Sequence, residues 1–280
     1  MWQKKFQLVM IALLSLGLLG GCNWLNARDN LNKGVQAYSN SNYTDAVDYF
    51  SEALRSDPEV PNAELYLALS YAGQFIPNFQ TPENEAMAEL AIATYQSVLE
   101  KDPRSTTAIA GLAAIFQGQD DLEGAREYYL LQAEISPEDP VAHYSVGSID
   151  WNVVGNIAPE LVYGPDAALP LTAEQEAMSD EELAAVMAIQ RTEIMALIEE
   201  GQQSLDRSLE LNPDYEDAMT FKNLLYRMSG NMISVDSEDE EEIARQAELF
   251  AEADDWFNRS METRARNAEA AASEFGIVQE

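Results

Sequence analysis

One histidine, His143, and one cysteine, Cys22, stand in a chain of 280 residues that carries 49 Asp plus Glu against 16 Lys plus Arg. Zinc sites draw on several Cys or His, and thiol–imidazole dyads and Ser-His-Asp triads need a histidine beside the nucleophile. Supply alone nearly excludes all three and leaves carboxylates as the catalytic option. A carboxylate pair could hydrolyse cell-wall glycan, but with 49 acids a pair occurs anywhere, and only a cleft that raises one pKa would give it meaning. The run Asp236-Ser237-Glu238-Asp239-Glu240-Glu241-Glu242 has the charge of a calcium loop but lacks the alternation of ligands and the turn glycine. Ser237-x-x-Glu240 is also a capping box, and a helix dipole favours carboxylates at its N-terminus, so the run reads as a helix start. No metal, cofactor or enzymatic activity is expected.

The elements that carry these residues begin with a leader. Lys4 and Lys5 precede an apolar stretch from Leu8 to Leu19, broken by Ser15 and Gly17 and too short for the roughly 20 apolar residues of a membrane span. A basic start, a short apolar run and small residues before a cut describe an export signal. Leu19-Gly20-Gly21-Cys22 resembles a bacterial lipobox. The resemblance implies removal of residues 1–21, acylation of Cys22 as the new N-terminus, a short tether over 22–26, and, with Asn23 next to the cysteine, the outer membrane facing the periplasm. Loss of two lysines leaves 14 bases against 49 acids, a charge of −35, and no second cysteine for a disulfide.

Beyond the leader the chain repeats. Pro-x-x-x-x-Ala occurs at Pro58/Ala63, Pro103/Ala108, Pro137/Ala142 and Pro213/Ala218, with intervals of 45, 34 and 76 residues between prolines. Each proline follows a helical run and stops it, and each alanine opens the next close-packed helix. Aligned on the prolines, the first repeat carries Gly34, Ala46, Phe50 and Ala53; the second Leu67, Ala68, Tyr71, Ala91 and Tyr95; the third Leu112, Ala113, Phe116, Ala125 and Tyr129. This pattern and the interval of 34 resemble the tetratricopeptide repeat. The expected fold is all-α, a TPR-type α-solenoid of antiparallel helix pairs over 27–235. It has insertions near 74–85 and 152–193, the latter helical and inside repeat four, and a C-terminal capping helix within 236–280.

Within repeat four the insertion is read as a Gly/Pro-punctuated loop from about Asn152 to Leu171, followed by two capping boxes, Thr172-x-x-Gln175 and Ser179-x-x-Glu182. The second of these helices is expected to run through Met195, Ile198 and Leu205. The terminal helix sets Ile243, Phe250, Ala253, Trp256, Phe257 and Met261 at spacings that make one apolar face, with Arg259, Arg264 and Arg266 near its end complementing the dipole.

The resemblance implies a concave groove lined by the first helix of each repeat. Carried over position by position, its candidate partner-binding residues include Leu31, Val35, Tyr38, Leu65, Leu69, Tyr144, Trp151, Leu224 and Arg227. The leucines could equally pack between helices; Tyr144 and Trp151 are the better anchors. With one arginine the groove is not a clamp for acidic peptide tails, and it suits a segment with apolar anchors flanked by basic residues.

Clustered Lys and Arg hold nucleic-acid phosphates, so the charge of −33 excludes a simple nucleic-acid binder. Residues 22–140 carry 19 acids and 6 bases, whereas 141–280 carry 30 and 8. That excess is either a solvated face or a field that steers a basic partner. The functional expectation is a lipid-anchored scaffold in the bacterial envelope holding an unidentified envelope protein or peptide; a structural or self-associating spacer and the glycan hydrolase are the alternatives.

Overall fold

Proline and small residues set where the helices stop and how closely they approach. The computed structural model describes residues 23–233 and 238–274, every regular element of which is helical. The expected leader, Cys22, the Asp236-Ser237 part of the acidic run and the tail from 275 lie outside the described residues. The fold is the expected all-α solenoid of TPR type, and its helices fall into two compact units, residues 1–121 and 122–280, so that repeat three is divided between its two helices.

The first unit comprises α1 (residues 23–39), α2 (Tyr43–Ser56), α3 (Ala63–Ala72), α4 (Pro82–Lys101) and α5 (Thr106–Gly118). Each helix packs on the next, and alanines make this close: Ala27, Ala46, Ala53, Ala63, Ala68, Ala88, Ala91 and Ala108 are fully buried. Gly34 of α1 lies so near Phe50 of α2 that a Cβ would stand 2.5 Å from the ring, and Gly111 of α5 stands likewise against Tyr95. Small against large at the crossing lets helix axes approach while an aromatic fills the space beside them. Residues 23–26 are the first turn of α1 and not a tether: Ala27 and Asn30 are buried, and Asn26 donates to the Ser56 hydroxyl at 2.6 Å. The insertion near 74–85 is a loop over 73–81 followed by an early start of α4, where Thr81 caps the Asn84 N–H and Pro82 takes the first turn.

The second unit comprises α6 (Leu122–Ile135), α7 (Pro140–Ile157), α8 (Glu160–Tyr163), a 3-10 turn (Pro165–Ala167), α9 (Ala173–Glu176), α10 (Asp180–Leu211), α11 (Glu216–Asn231) and α12 (Glu240–Glu274). Both capping boxes in the insertion form as expected, at Thr172/Gln175 and Ser179/Glu182. The loop expected from Asn152 begins later, because α7 runs on to Ile157: Val153 and Val154 are buried and hold that extension in the core with Leu161, Ile198, Leu225 and Met228.

The face of α12 also differs from the one hydropathy implies. Leu249 and Ala253 are buried, with Phe250 and Trp256 half-buried, but Ile243, Phe257 and Met261 are exposed, and Ser260 and Thr263 take the inner positions. Ser260 can be buried because its hydroxyl donates to the Phe257 carbonyl, which offsets the cost of removing it from water. The arginines do not sit in the last turn, since α12 continues to Glu274. Arg266 instead reaches Asp214, in the connection before α11, and Arg264 reaches Glu216, its first residue.

Candidate functional site

The expected groove residues are placed by two separate neighbourhoods. In the first unit Leu31 packs on the Ala27, Ala53, Val60 and Ala63 cluster, Val35 is half-buried one turn on, and Tyr38 sits with its ring 5.5 Å from Tyr43 and 6.0 Å from Tyr66. Leu65 lines a small cavity of about 220 Å³ by the α2–α3 loop, beside Val98 and Lys101, while Leu69 is half-buried on the following turn of α3. Glu64, at the rim of this cavity, is held below the usual carboxylate range by hydrogen bonds from Lys101 and Ser97, which outweigh its partial burial.

In the second unit Tyr144 and Trp151 are seven residues apart on α7 and meet the same ring of α11: Phe221 lies 5.7 Å from Tyr144 and 5.6 Å from Trp151, centroid to centroid, edge to face. Tyr215 adds a contact to Tyr144 at 5.0 Å and is pushed up to about 12 by burial. The two expected anchors are therefore one wall of a four-ring cluster seated on the core. Sequence reasoning missed Phe221, which is not among the positions carried over from the repeat pattern. Leu224 is half-buried on the next turn of α11, and Arg227 is not a free groove cation: it pairs with Asp254 of α12 at 2.6 Å.

Two buried charges lie beside these rings. Asp150 is fully buried next to Trp151 and accepts from Arg126 of α6 at 2.6 Å; Arg126 also pairs with Glu200 of α10. Burial raises the Asp150 carboxyl to about 6 against the pull of Arg126. Lys222, 3% exposed, pairs with Asp206 and lies 4.4 Å from the centre of the Trp256 ring; burial lowers its ammonium to about 8. Arg126 ties α6 to α7 and α10, and Lys222 ties α11 to α10, while the second Asp150 carboxylate oxygen, Oδ2, is buried without a hydrogen-bond partner.

An open cleft of about 660 Å³ adjoins the insertion. One wall is the end of α7 with α8, through Ile157, Ala158 and Leu161; another is the early part of α10, through Met187, Arg191 and Ile194; Asn231 and Met232 at the end of α11 complete the lining. The walls are braced at their edges, where Asn231 donates to the Leu161 carbonyl at 2.8 Å and Arg191 donates to the Met232 carbonyl. Ile157 and Met187 are about half exposed, at 44% and 52%, and Ile189 and Met195 on the same helix are exposed as well. Residues 152–200 carry ten acids and one base, Arg191, so the apolar walls stand in a negative field. None of the cleft residues was singled out from sequence, because its three walls are separated by up to 75 residues. Chemically the cleft can bury apolar side chains and attract cations.

No family model matches the chain, and no curated protein matches it. Solved structures do. A MamA protein is similar over 87% of this chain and 94% of its own, with 13% identity and a TM-score of 0.55. A tetratricopeptide repeat protein from Parabacteroides merdae covers 86% of this chain and 78% of its own, with 15% identity and a TM-score of 0.51. A MamA fragment from Desulfovibrio magneticus RS-1 covers 83% and 96%, with 13% identity and a TM-score of 0.50. Together with the proline-spaced helix pairs, these likenesses give the chain the fold of a tetratricopeptide-repeat protein.

Proposed function

We propose that the protein is a lipid-anchored scaffold of the bacterial envelope that holds a cationic, amphipathic segment of a partner protein. The observation that carries this reading is the cleft beside the insertion: apolar walls with half-exposed Ile157 and Met187, set among ten acids and a single base. A helix with apolar residues on one face and Lys or Arg on the other satisfies both features, burying its anchors between α8 and α10 while its charges answer the acidic rim. The lipobox-like end at Cys22 supports anchoring, and the Tyr144/Trp151 cluster supports α7 from behind instead of serving as the open pocket.

A synthetic amphipathic helix bearing lysines is expected to bind the purified chain, with affinity falling as salt rises from low to physiological. The charge-reversed helix should not bind. The double substitution Met187→Ser and Ile157→Ser should weaken the lysine helix by roughly tenfold or more, the loss expected for two half-buried apolar anchors. Equal binding of both helices, or binding unchanged in the double variant, would sink the reading. Incorporation of labelled palmitate into wild type but not Cys22→Ala tests the anchor separately.

A further inference from the structure

The first turn of α1 carries an apolar patch that the described residues leave exposed. Trp24 is 51% exposed and Leu25 62% exposed, whereas Ala27 and Asn30, on the inner side of the same helix, are buried. The turn cannot swing freely, since Asn26 is bonded to Ser56 at the end of α2. The Arg28 guanidinium lies 5.2 Å from the centre of the Trp24 ring, stacked one helical turn along on the same face. Asp29, on the same helix, pairs with Lys33 at 2.6 Å.

Cys22 immediately precedes this helix in the sequence. Two residues separate Cys22 from Trp24, so chain length alone, at most about 3.6 Å per residue, keeps the Trp24 backbone within roughly 7 Å of a lipid-bearing residue 22. An indole has an apolar body and one N–H donor, and such rings favour the headgroup level of a bilayer; an arginine beside it can bond lipid phosphates bidentately. We infer that Trp24 and Leu25 are a membrane seat: they enter the headgroup region of the bilayer that holds the Cys22 lipid, with Arg28 on the phosphates, so that the first unit stands on the membrane through α1. The inference rests on the lipoprotein reading above and goes beyond it, because a lipid alone would leave the protein free to pivot.

The test uses the acylated chain reconstituted in phosphatidylethanolamine/phosphatidylglycerol vesicles whose acyl chains are brominated at shallow positions. One variant, Trp151→Phe with Trp256→Phe, keeps Trp24; a second, Trp24→Phe with Trp256→Phe, keeps Trp151. Mass spectrometry confirms that the leader, with Trp2, is gone. Emission from Trp24 should be blue-shifted and quenched several-fold more than emission from Trp151. In a chain shown to carry the lipid, equal quenching of the two would overturn the seat and leave the anchor standing. A blue shift of Trp24 without bromine quenching would assign the patch to contact with a second copy, and likewise overturn it. If palmitate labels wild type and Cys22→Ala alike, or labels neither, the lipoprotein reading falls and the seat with it.

Discussion

Each unit accommodates an insertion between two helices of a repeat, and the two do it in opposite ways. In the first unit the loop over 73–81 is held by one side chain of α4 and by a bond from the Asn78 N–H to the Gly118 carbonyl of α5 at 2.8 Å. Asn84, 7% exposed, accepts from the Ile76 N–H at 2.7 Å and donates to the carbonyls of Ile76 and Phe79 at 2.8 and 2.7 Å. In the second unit the insertion is built from helix: α7 is prolonged, α10 starts 18 residues before its first buried residue, Ile198, and the space between them stays open as the acidic cleft. Both insertions leave apolar side chains facing solvent, Ile76 and Phe79 in the first and Ile157 and Met187 in the second; what differs is that the first ties its loop backbone to a side chain, whereas the second keeps most of its backbone bonds within helices and opens an acidic cleft between them. The Asn84 bonds give the first insertion a structural closure, and the proposed recognition of a cationic partner rests on the acidic cleft beside the second.

The sharpest way to break that comparison is Asn84→Ala. It removes the partner of one part-buried N–H and two carbonyls, and is expected to cost about 2–3 kcal/mol, read as a lower urea midpoint with unchanged slope and faster proteolysis within 73–81. A cost within about 0.5 kcal/mol, the range of ordinary surface changes, would mean that the loop does not depend on Asn84.

Much of this fold was legible because its signals are local. Proline after each helical run, the glycine and alanine spacing, and the two capping boxes act within one or two turns, and all are found where the sequence puts them. What the sequence withheld depends on distant partners. Nothing in the sequence marks Asp150 or Lys222 as buried, and only the approach of Arg126, and of Asp206 with Trp256, makes their burial tolerable. Tyr144 and Trp151 were visible as aromatics, but their shared contact with Phe221 requires knowing how α7 meets α11. The cleft, assembled from three segments, left no trace in periodicity. The inner face of α12 was misjudged because Ser260 and Thr263 are polar by type yet buried in place.

The charged bridge among α6, α7 and α10 gives the second unit a pH response. Asp150 titrates near 6 when folded against 3.8 for a free aspartate, so between those values the folded chain holds more protons than the unfolded one. Its contribution to stability is thus complete below about 3.8 and lost as pH rises through 6. Asp150→Asn keeps an acceptor for Arg126 and removes the titration. Comparing urea midpoints between pH 4 and 7, the fall seen in wild type should be shallower in the variant by on the order of 2 kcal/mol. Because many other acids titrate in this range, the difference between the two curves is the measurement; parallel curves would remove Asp150 from the account.

The smallest effect separates the packed and prolonged parts of α7 itself. At Gly147 a Cβ would stand 2.4 Å from Leu205 Cγ and 3.0 Å from the Gly201 carbonyl oxygen, with rigid neighbours on both sides. At Gly155, in the prolonged end by the cleft, it would meet only Val162 at 3.4 Å and Met228 at 4.0 Å, which are ordinary contacts. Gly147→Ala is therefore expected to destabilise by about 1–3 kcal/mol through overpacking. Gly155→Ala should stabilise by about 0.5–1 kcal/mol, because alanine restricts the unfolded chain and suits a helix interior. Thermal denaturation of the two variants reads both signs. If Gly155→Ala destabilises as Gly147→Ala does, α7 is packed tightly to its end, and the room beside the cleft that distinguishes the second insertion from the first is not there.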